Sequence, residues 1–491
     1  MMSLKITNPY ASGTFNSKLF RIPAILTLKN GRVLACSDIR YGNGTDDPAN
    51  VDVGIRYSDD NGVNWSEPAF VNAFDDMEFF DHNKAIPTSA AFVDSAIVQG
   101  EDGTVFHMCD ACPAYMGLWS AGTYGKENGF IDGKLAVCDK TSHEKAESTK
   151  LNKEKYPYFV DDFSADGFAP VKKFSDNEIY DNYYVDRDYK VYKKSGEEYT
   201  PVLIKQMNKD GSLSDKDIIA NLFYAYSPIK CYPTYYLWVK KSSDNGKTWG
   251  DGRILNLEIE SKGFTGFAPG RGISIDYNGK NRIIFAVYDN NDGREYTSVI
   301  YTDDGENWKR SKKANQVGVS GKSSETQFVL LNNGVLRMYS RNTAGYISYC
   351  DSIDGGESWS AYKQDKALAY CSNCQFSIIN YSKEIDGKKV VVISYPSTKI
   401  RKLGVIRVGI VNDDNTVEWR YRKNVTDSLN PFSFVYSCIT ELSDGSIADL
   451  YESDKAELSC VRYTLDDLKV NDKGIRGISK IKSIIYNKTR K

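Results

Sequence analysis

The stretch Ser242-Ser243-Asp244-Asn245-Gly246-Lys247-Thr248-Trp249 decides how this chain folds. It reads Ser-x-Asp-x-Gly-x-Thr-Trp, and each fixed position suits a tight hairpin turn. Short Ser and Asp side chains bond nearby backbone amides, Gly supplies a positive φ, and the closing Trp pins the turn to the sheet beneath. One copy would be only a turn, but the pattern recurs. Ser58, Asp60, Gly62 and Trp65 keep the spacing, as do Ser352, Asp354, Gly356 and Trp359. Tyr301, Asp303, Gly305 and Trp308 lose only the Ser, and Asn412, Asp414, Thr416 and Trp419 lose the Gly. Five of the seven tryptophans therefore end such a turn, and the last four copies start 59, 51 and 60 residues apart. That period fits one four-stranded propeller blade.

The rest of the chain agrees with antiparallel sheets. Asn30-Gly31, Asp102-Gly103, Asn333-Gly334 and Asp444-Gly445 each sit between apolar runs, as hairpin turns do. Six blades, the number that the turn's resemblance to a known family implies, would at 50–60 residues each need roughly 300–360 residues, which leaves about a hundred of the 491 for an insertion. The first two intact turns lie 184 residues apart, and the stretch between them is rich in Tyr, Asp and Lys with short alternating runs. We expect an all-β chain: a six-bladed β-propeller over 1–150 and 233–491, with a small β-rich domain inserted at 151–232.

Composition removes several classes of function. Formal charge is −2, and no concentrated Lys/Arg run precedes the last dozen residues, so nucleic acid is not expected as a partner. No apolar run approaches the length of a membrane span. Met1-Met2-Ser3-Leu4-Lys5 leads into no apolar segment, so the chain as it stands reads as cytoplasmic, or as a secreted protein without its signal. The ten cysteines show no framework spacing, and only His82, His107 and His143 are available as imidazole ligands. Two Cys-x-x-Cys pairs, Cys109/Cys112 and Cys371/Cys374, lie too far apart in sequence to suggest one zinc site, and no metal or cofactor is expected.

The Trp-terminated turn resembles the Asp box of sialidases (neuraminidases), which fold as six-bladed propellers. In that family the boxes lie away from the active site, so chemistry must come from other segments. Leu19-Phe20-Arg21-Ile22-Pro23 puts a cation in an apolar strand, where it must meet an anion. The segment resembles the family's Phe-Arg-Ile-Pro signature, whose Arg holds the substrate carboxylate. Arg341, in Tyr339-Ser340-Arg341-Asn342, resembles the second arginine of that triad. Arg401 resembles the third less closely, with Arg407 as its competitor.

The resemblance implies the remaining roles. Asp46, six residues after Arg40 in a Gly-rich loop, matches the general acid, with Asp47 as neighbour. Asp94 in Phe92-Val93-Asp94-Ser95 matches a residue that contacts the sugar, with Arg40 assisting. Glu325 in Glu325-Thr326-Gln327 lies 16 residues before Arg341 and matches the catalytic base. Tyr436, in Val435-Tyr436-Ser437, matches the nucleophile. Sialic acid carries a carboxylate on its anomeric carbon, which would repel a carboxylate nucleophile. A phenol activated by Glu avoids that repulsion, and sialidases are exceptions to the two-carboxylate rule. The expected activity is that of a retaining exo-α-sialidase acting on sialylated glycans. The alternatives are an intramolecular trans-sialidase releasing an anhydro sugar and a non-catalytic sialoglycan-binding propeller.

Overall fold

The structure is a computed structural model that describes residues 6–41, 49–78, 88–116, 127–139, 150–257, 264–291, 294–317, 319–425, 434–453 and 457–469. Among these, helix is confined to Leu465–Leu468 and two 3₁₀ turns, and no helix is long and apolar enough to cross a membrane. The fold is an all-β propeller.

Two of its sheets are four-stranded antiparallel meanders, one of Ser323–Leu330, Leu336–Asn342, Tyr346–Ser352 and Lys363–Ala369, the other of Ser377–Ile385, Lys388–Pro396, Gly404–Val411 and Val417–Asn424. A third consists of Ser437–Glu441, Ile447–Glu452 and Leu458–Tyr463 and takes its outer strand, Ile6–Tyr10, from the start of the chain. That pairing ties the two ends of the propeller together. A five-stranded sheet is built on Lys280–Asn291. The nine-stranded sheet contains two antiparallel runs, from Leu19–Thr27 to Ala69–Asn72 and from Ala91–Gln99 to Arg253–Ile254, bridged in parallel at Val51 and Ala91.

The first strands of neighbouring sheets are cross-linked to one another. Thr27 N donates to Thr440 Oγ1 at 3.0 Å and Leu330 N to Asn380 Oδ1 at 2.8 Å. In such a meander the N-terminal end of the first strand and the C-terminal end of the second share one rim. The hairpin joining first to second strand lies on the opposite rim, as does the C-terminal end of the third. The Asn-Gly and Asp-Gly turns make the former connections, with Gly31, Gly103, Gly334 and Gly445 all at positive φ. The Trp-terminated turns follow the third strands, so they share that rim.

Three of these turns have the same internal bonding. Ser58, Ser242 and Ser352 donate to the Asp two residues on and accept the amide of the Gly four residues on, all within 2.7–2.9 Å. The fourth copy corrects the expected frame by one residue. Thr302, not Tyr301, donates to Asp304 and accepts the Gly305 amide, while Asp304 accepts the amides of Glu306 and Asn307. Asp303 is instead clasped by Arg282, as Asp59 is by Arg32. A Thr hydroxyl replaces the Ser, and the turn is one residue shorter before its Trp.

Between the second and third strands of one antiparallel run lies a separate eight-stranded sheet, from Phe130–Ile131 to Ile229–Cys231, and a ribbon of Leu203–Met207 with Leu213–Ile219. Its apolar side shares one core with the propeller. Phe92 and Trp238 pack in the same cluster as Val171, Val185 and Phe223.

Candidate active site

The site lies on the rim opposite the Trp-terminated turns, where first strands begin and second strands end. Three first strands break register there: between Arg21 and Ala24, between Val93 and Ala96, and between Ser323 and Thr326. Each irregularity sits at an expected site residue: Arg21, Asp94 or Glu325. A bulge re-aims side chains from a sheet toward an axis. Ile22 and Asp94 have φ of 57° and 63°. A β-branched residue there is a true outlier, of the kind held at functional sites.

Tyr436 directly precedes the first strand Ser437–Glu441 and is 6% exposed. Its hydroxyl donates to Glu325 Oε1 at 2.5 Å. Arg341, near the end of its second strand, donates through Nη1 to Glu325 Oε2 at 2.6 Å and to the Tyr436 oxygen at 2.8 Å. The Arg21 and Arg401 guanidinium carbons lie 5.3 and 5.4 Å from the centre of the Tyr436 ring. The structure therefore brings Arg21, Arg341, Arg401, Glu325 and Tyr436 together. Arg407 does not join them, because it donates to the Trp419 carbonyl within its own sheet and to the Ala367 carbonyl of the neighbouring sheet.

Burial pushes the Tyr436 phenol well above its usual pKa; Arg341 and Arg401 pull it down without prevailing, and Glu325 adds to the rise. The resting phenol is neutral, and Glu325 is its acceptor. Burial alone would lower the pKa of Arg341, but Glu325 and Tyr436 more than reverse that. The arrangement can move a proton from phenol to carboxylate while an adjacent cation stabilises both oxygens.

Arg40 and Asp94 belong to a neighbouring group. Arg40 is buried and donates to Asp38 Oδ2 at 3.0 Å, and Asp38 Oδ1 accepts the Asp94 amide at 3.2 Å. Asp46 lies outside the described residues. All ten cysteines are free and buried, and among the described residues no three His, Cys, Asp or Glu side chains are grouped as a metal would require.

The chain matches the model of the BNR repeat-like domain over residues 22–417. It is 31% identical over 473 residues to the anhydrosialidase of Macrobdella decora, covering 90% of this chain and 59% of that one. It is also 31% identical over 519 residues to sialidase B of Streptococcus pneumoniae, covering 96% and 68%. The chain belongs to the sialidase family. It superposes on the intramolecular trans-sialidase of Ruminococcus gnavus, solved with oseltamivir carboxylate, with a TM-score of 0.83 at 30% identity, covering 96% of this chain and 99% of that one. The chain spans less than two thirds of the Macrobdella decora protein's length.

Sequence reasoning missed three residues of this site. Glu452, at the end of Ile447–Glu452, accepts from Arg21 Nε at 3.2 Å and from the Ile22 amide at 2.8 Å. The demand that Arg21 meet an anion pointed to such a partner, but nothing local named it. Asn373 contacts both Arg341 and Arg401. Tyr288 is buried beside Asp94, Glu325 and Tyr436, and burial followed by those three groups pushes its phenol well above the usual value.

Proposed function

We propose that this chain is a retaining exo-α-sialidase that removes terminal sialic acid from glycans through a covalent bond to Tyr436. The carrying observation is the 2.5 Å hydrogen bond from Tyr436 to Glu325, in reach of three arginines. In this reading Arg21, Arg341 and Arg401 hold the substrate carboxylate, and Arg40 and Asp94 serve the sugar ring. Asp46 protonates the departing glycosidic oxygen. The Tyr436 oxygen forms a bond to C2 as the C2–O bond to the aglycone breaks, and the phenolic proton passes to Glu325. A hydroxyl then attacks C2 and gives its proton to the now ionised Asp46, while the C2–O bond to Tyr436 breaks and the phenolate takes its proton back from Glu325.

The architecture in this proposal has six blades. The nine-stranded sheet counts as two, divided at the single Val51–Ala91 bridge, and the inserted domain takes in the whole eight-stranded sheet, so it begins at about Phe130 and not at the expected residue 151. A lectin would need the arginines but not the Tyr436–Glu325 pair, which speaks for turnover.

The attacking hydroxyl separates two readings. Water gives free sialic acid; the family resemblance implies a late Trp stacked over the site in members of the anhydro-forming type, and no Trp follows Trp419 here. A hydroxyl of the sugar itself would give an anhydro sugar, and the likeness to the Ruminococcus gnavus enzyme favours that second reading. NMR of the product released from a sialylated oligosaccharide distinguishes them. The covalent step has its own test. A fluorinated sialosyl fluoride should label the peptide 430–442; Tyr436→Phe should abolish the label, and Glu325→Gln should slow it. A label on Glu325, or undiminished labelling of the Phe variant, would overturn the mechanism.

A further inference from the structure

Asn373 lies in Cys371-Ser372-Asn373-Cys374, between the strands Lys363–Ala369 and Ser377–Ile385. Its side-chain Oδ1 accepts from Arg341 Nε at 2.6 Å. Its main-chain carbonyl accepts from Arg401 Nε at 3.2 Å and Nη2 at 2.9 Å. Two arginines from different sheets are thus registered on one residue. Arg341 spends Nη1 on Glu325 and Tyr436. Among the described residues, that leaves Arg341 Nη2 and Arg401 Nη1 without a protein acceptor, although their remaining nitrogens are engaged. The acceptor is also neutral. An Asp in its place would offer the same oxygen to Arg341 but add a negative charge where the two guanidinium groups meet.

We infer that Asn373 is a positioning and selectivity residue. It fixes Arg341 and Arg401 relative to each other through neutral acceptors, so that their free N–H groups face a ligand carboxylate and no negative charge is added beyond that of Glu325. This rests on the reading that these arginines hold the sialic acid carboxylate. A guanidinium loses orientation when its Nε contact is removed, and two forks converge on one carboxylate only if both are fixed.

The contacts divide by chemistry. Side-chain substitution releases Arg341 but leaves the carbonyl contact to Arg401 intact. Replacement by Asp keeps the oxygen for Arg341 and satisfies any purely architectural demand.

The test measures inhibition by a 2,3-unsaturated sialic acid and by its methyl ester, together with thermal midpoints, on the whole chain. Asn373→Ala should weaken binding of the free acid by about 10–100-fold, the span of one charge-assisted hydrogen bond, with a midpoint close to that of the parent. Asn373→Asp should weaken it further, while the methyl ester should bind the Asp and Ala variants alike. A native-like Ki for the free acid with Asn373→Asp would reduce Asn373 to an architectural acceptor and overturn the inference. So would unchanged binding with Asn373→Ala, or equal penalties for acid and ester with the Asp variant. Arg341→Lys is the control, because Lys cannot reproduce the planar fork. If that variant binds the free acid as the parent does, the carboxylate is not held here and the functional reading itself fails. If it binds poorly while both Asn373 variants bind well, only the role of Asn373 is lost.

Discussion

Glu452 holds Arg21 twice, once through Nε at 3.2 Å and once through the Ile22 amide at 2.8 Å. The carboxylate therefore fixes both the side chain and the left-handed Ile22 backbone beside it. Both donors point at the same group, so Glu452→Gln leaves one of them facing an amide N–H. We expect kcat/KM to fall by about 10–100-fold, the effect of one buried hydrogen bond to a charged group. Steady-state kinetics on a fluorogenic sialoside, with Ki for a sialic acid analogue, measure it. Parent-like values for both would show that Arg21 needs no such anchor.

Asp46 is expected to matter in proportion to the leaving group. An activated aryl oxide departs without a proton, whereas a sugar hydroxyl does not. Asp46→Asn should therefore lose far more activity on a natural sialoside than on an aryl sialoside. Equal losses on the two substrates would shift the acid role to Asp47 or elsewhere.

The bonding of the fourth turn makes a prediction against the motif's apparent frame. Thr302→Val removes the hydroxyl that serves Asp304 and Gly305, and should cost about 1–3 kcal/mol. Tyr301→Phe should be nearly neutral, since that ring packs against Arg282 and its hydroxyl holds no turn. Denaturant unfolding of the two variants decides the frame. A larger loss for Tyr301→Phe would restore the frame read from sequence.

Asp449 carries a pH dependence of definite sign. It is fully buried, Ser394 donates to Oδ2 at 2.6 Å, and Oδ1 has no partner among the described residues. Burial pushes its carboxyl up to about 7, against the pull of the Ser394 hydrogen bond. The folded state then holds a proton that the unfolded state has lost, between about pH 4 and pH 7. The stability contributed by the neutral acid is complete below the unfolded pKa and declines as pH rises through the folded one. Asp449→Asn, neutral throughout, should raise the thermal midpoint at pH 8 and change it little at pH 4.5. A midpoint shift that is the same at both pH values would rule out this titration.

The sequence by itself determined what depends on short range. The Ser-x-Asp-x-Gly turns need only neighbours within a few residues, and the Asn-Gly and Asp-Gly hairpins need only a backbone that tolerates positive φ. Their spacing set the blade period, and local frames around Arg21, Glu325, Arg341 and Tyr436 named residues that the fold does bring together. What only the tertiary structure decided involves partners far apart in the chain. Ile6–Tyr10 completes a sheet with Leu458–Tyr463, and Glu452 reaches Arg21 across 431 residues. Asn373 registers one arginine from a strand end and one from a loop, which no local pattern connects. Even Thr302 could be told from Tyr301 only by which oxygen meets the Gly305 amide. Local chemistry is written in consecutive residues, whereas convergence on an axis depends on how sheets close and where their first strands bulge.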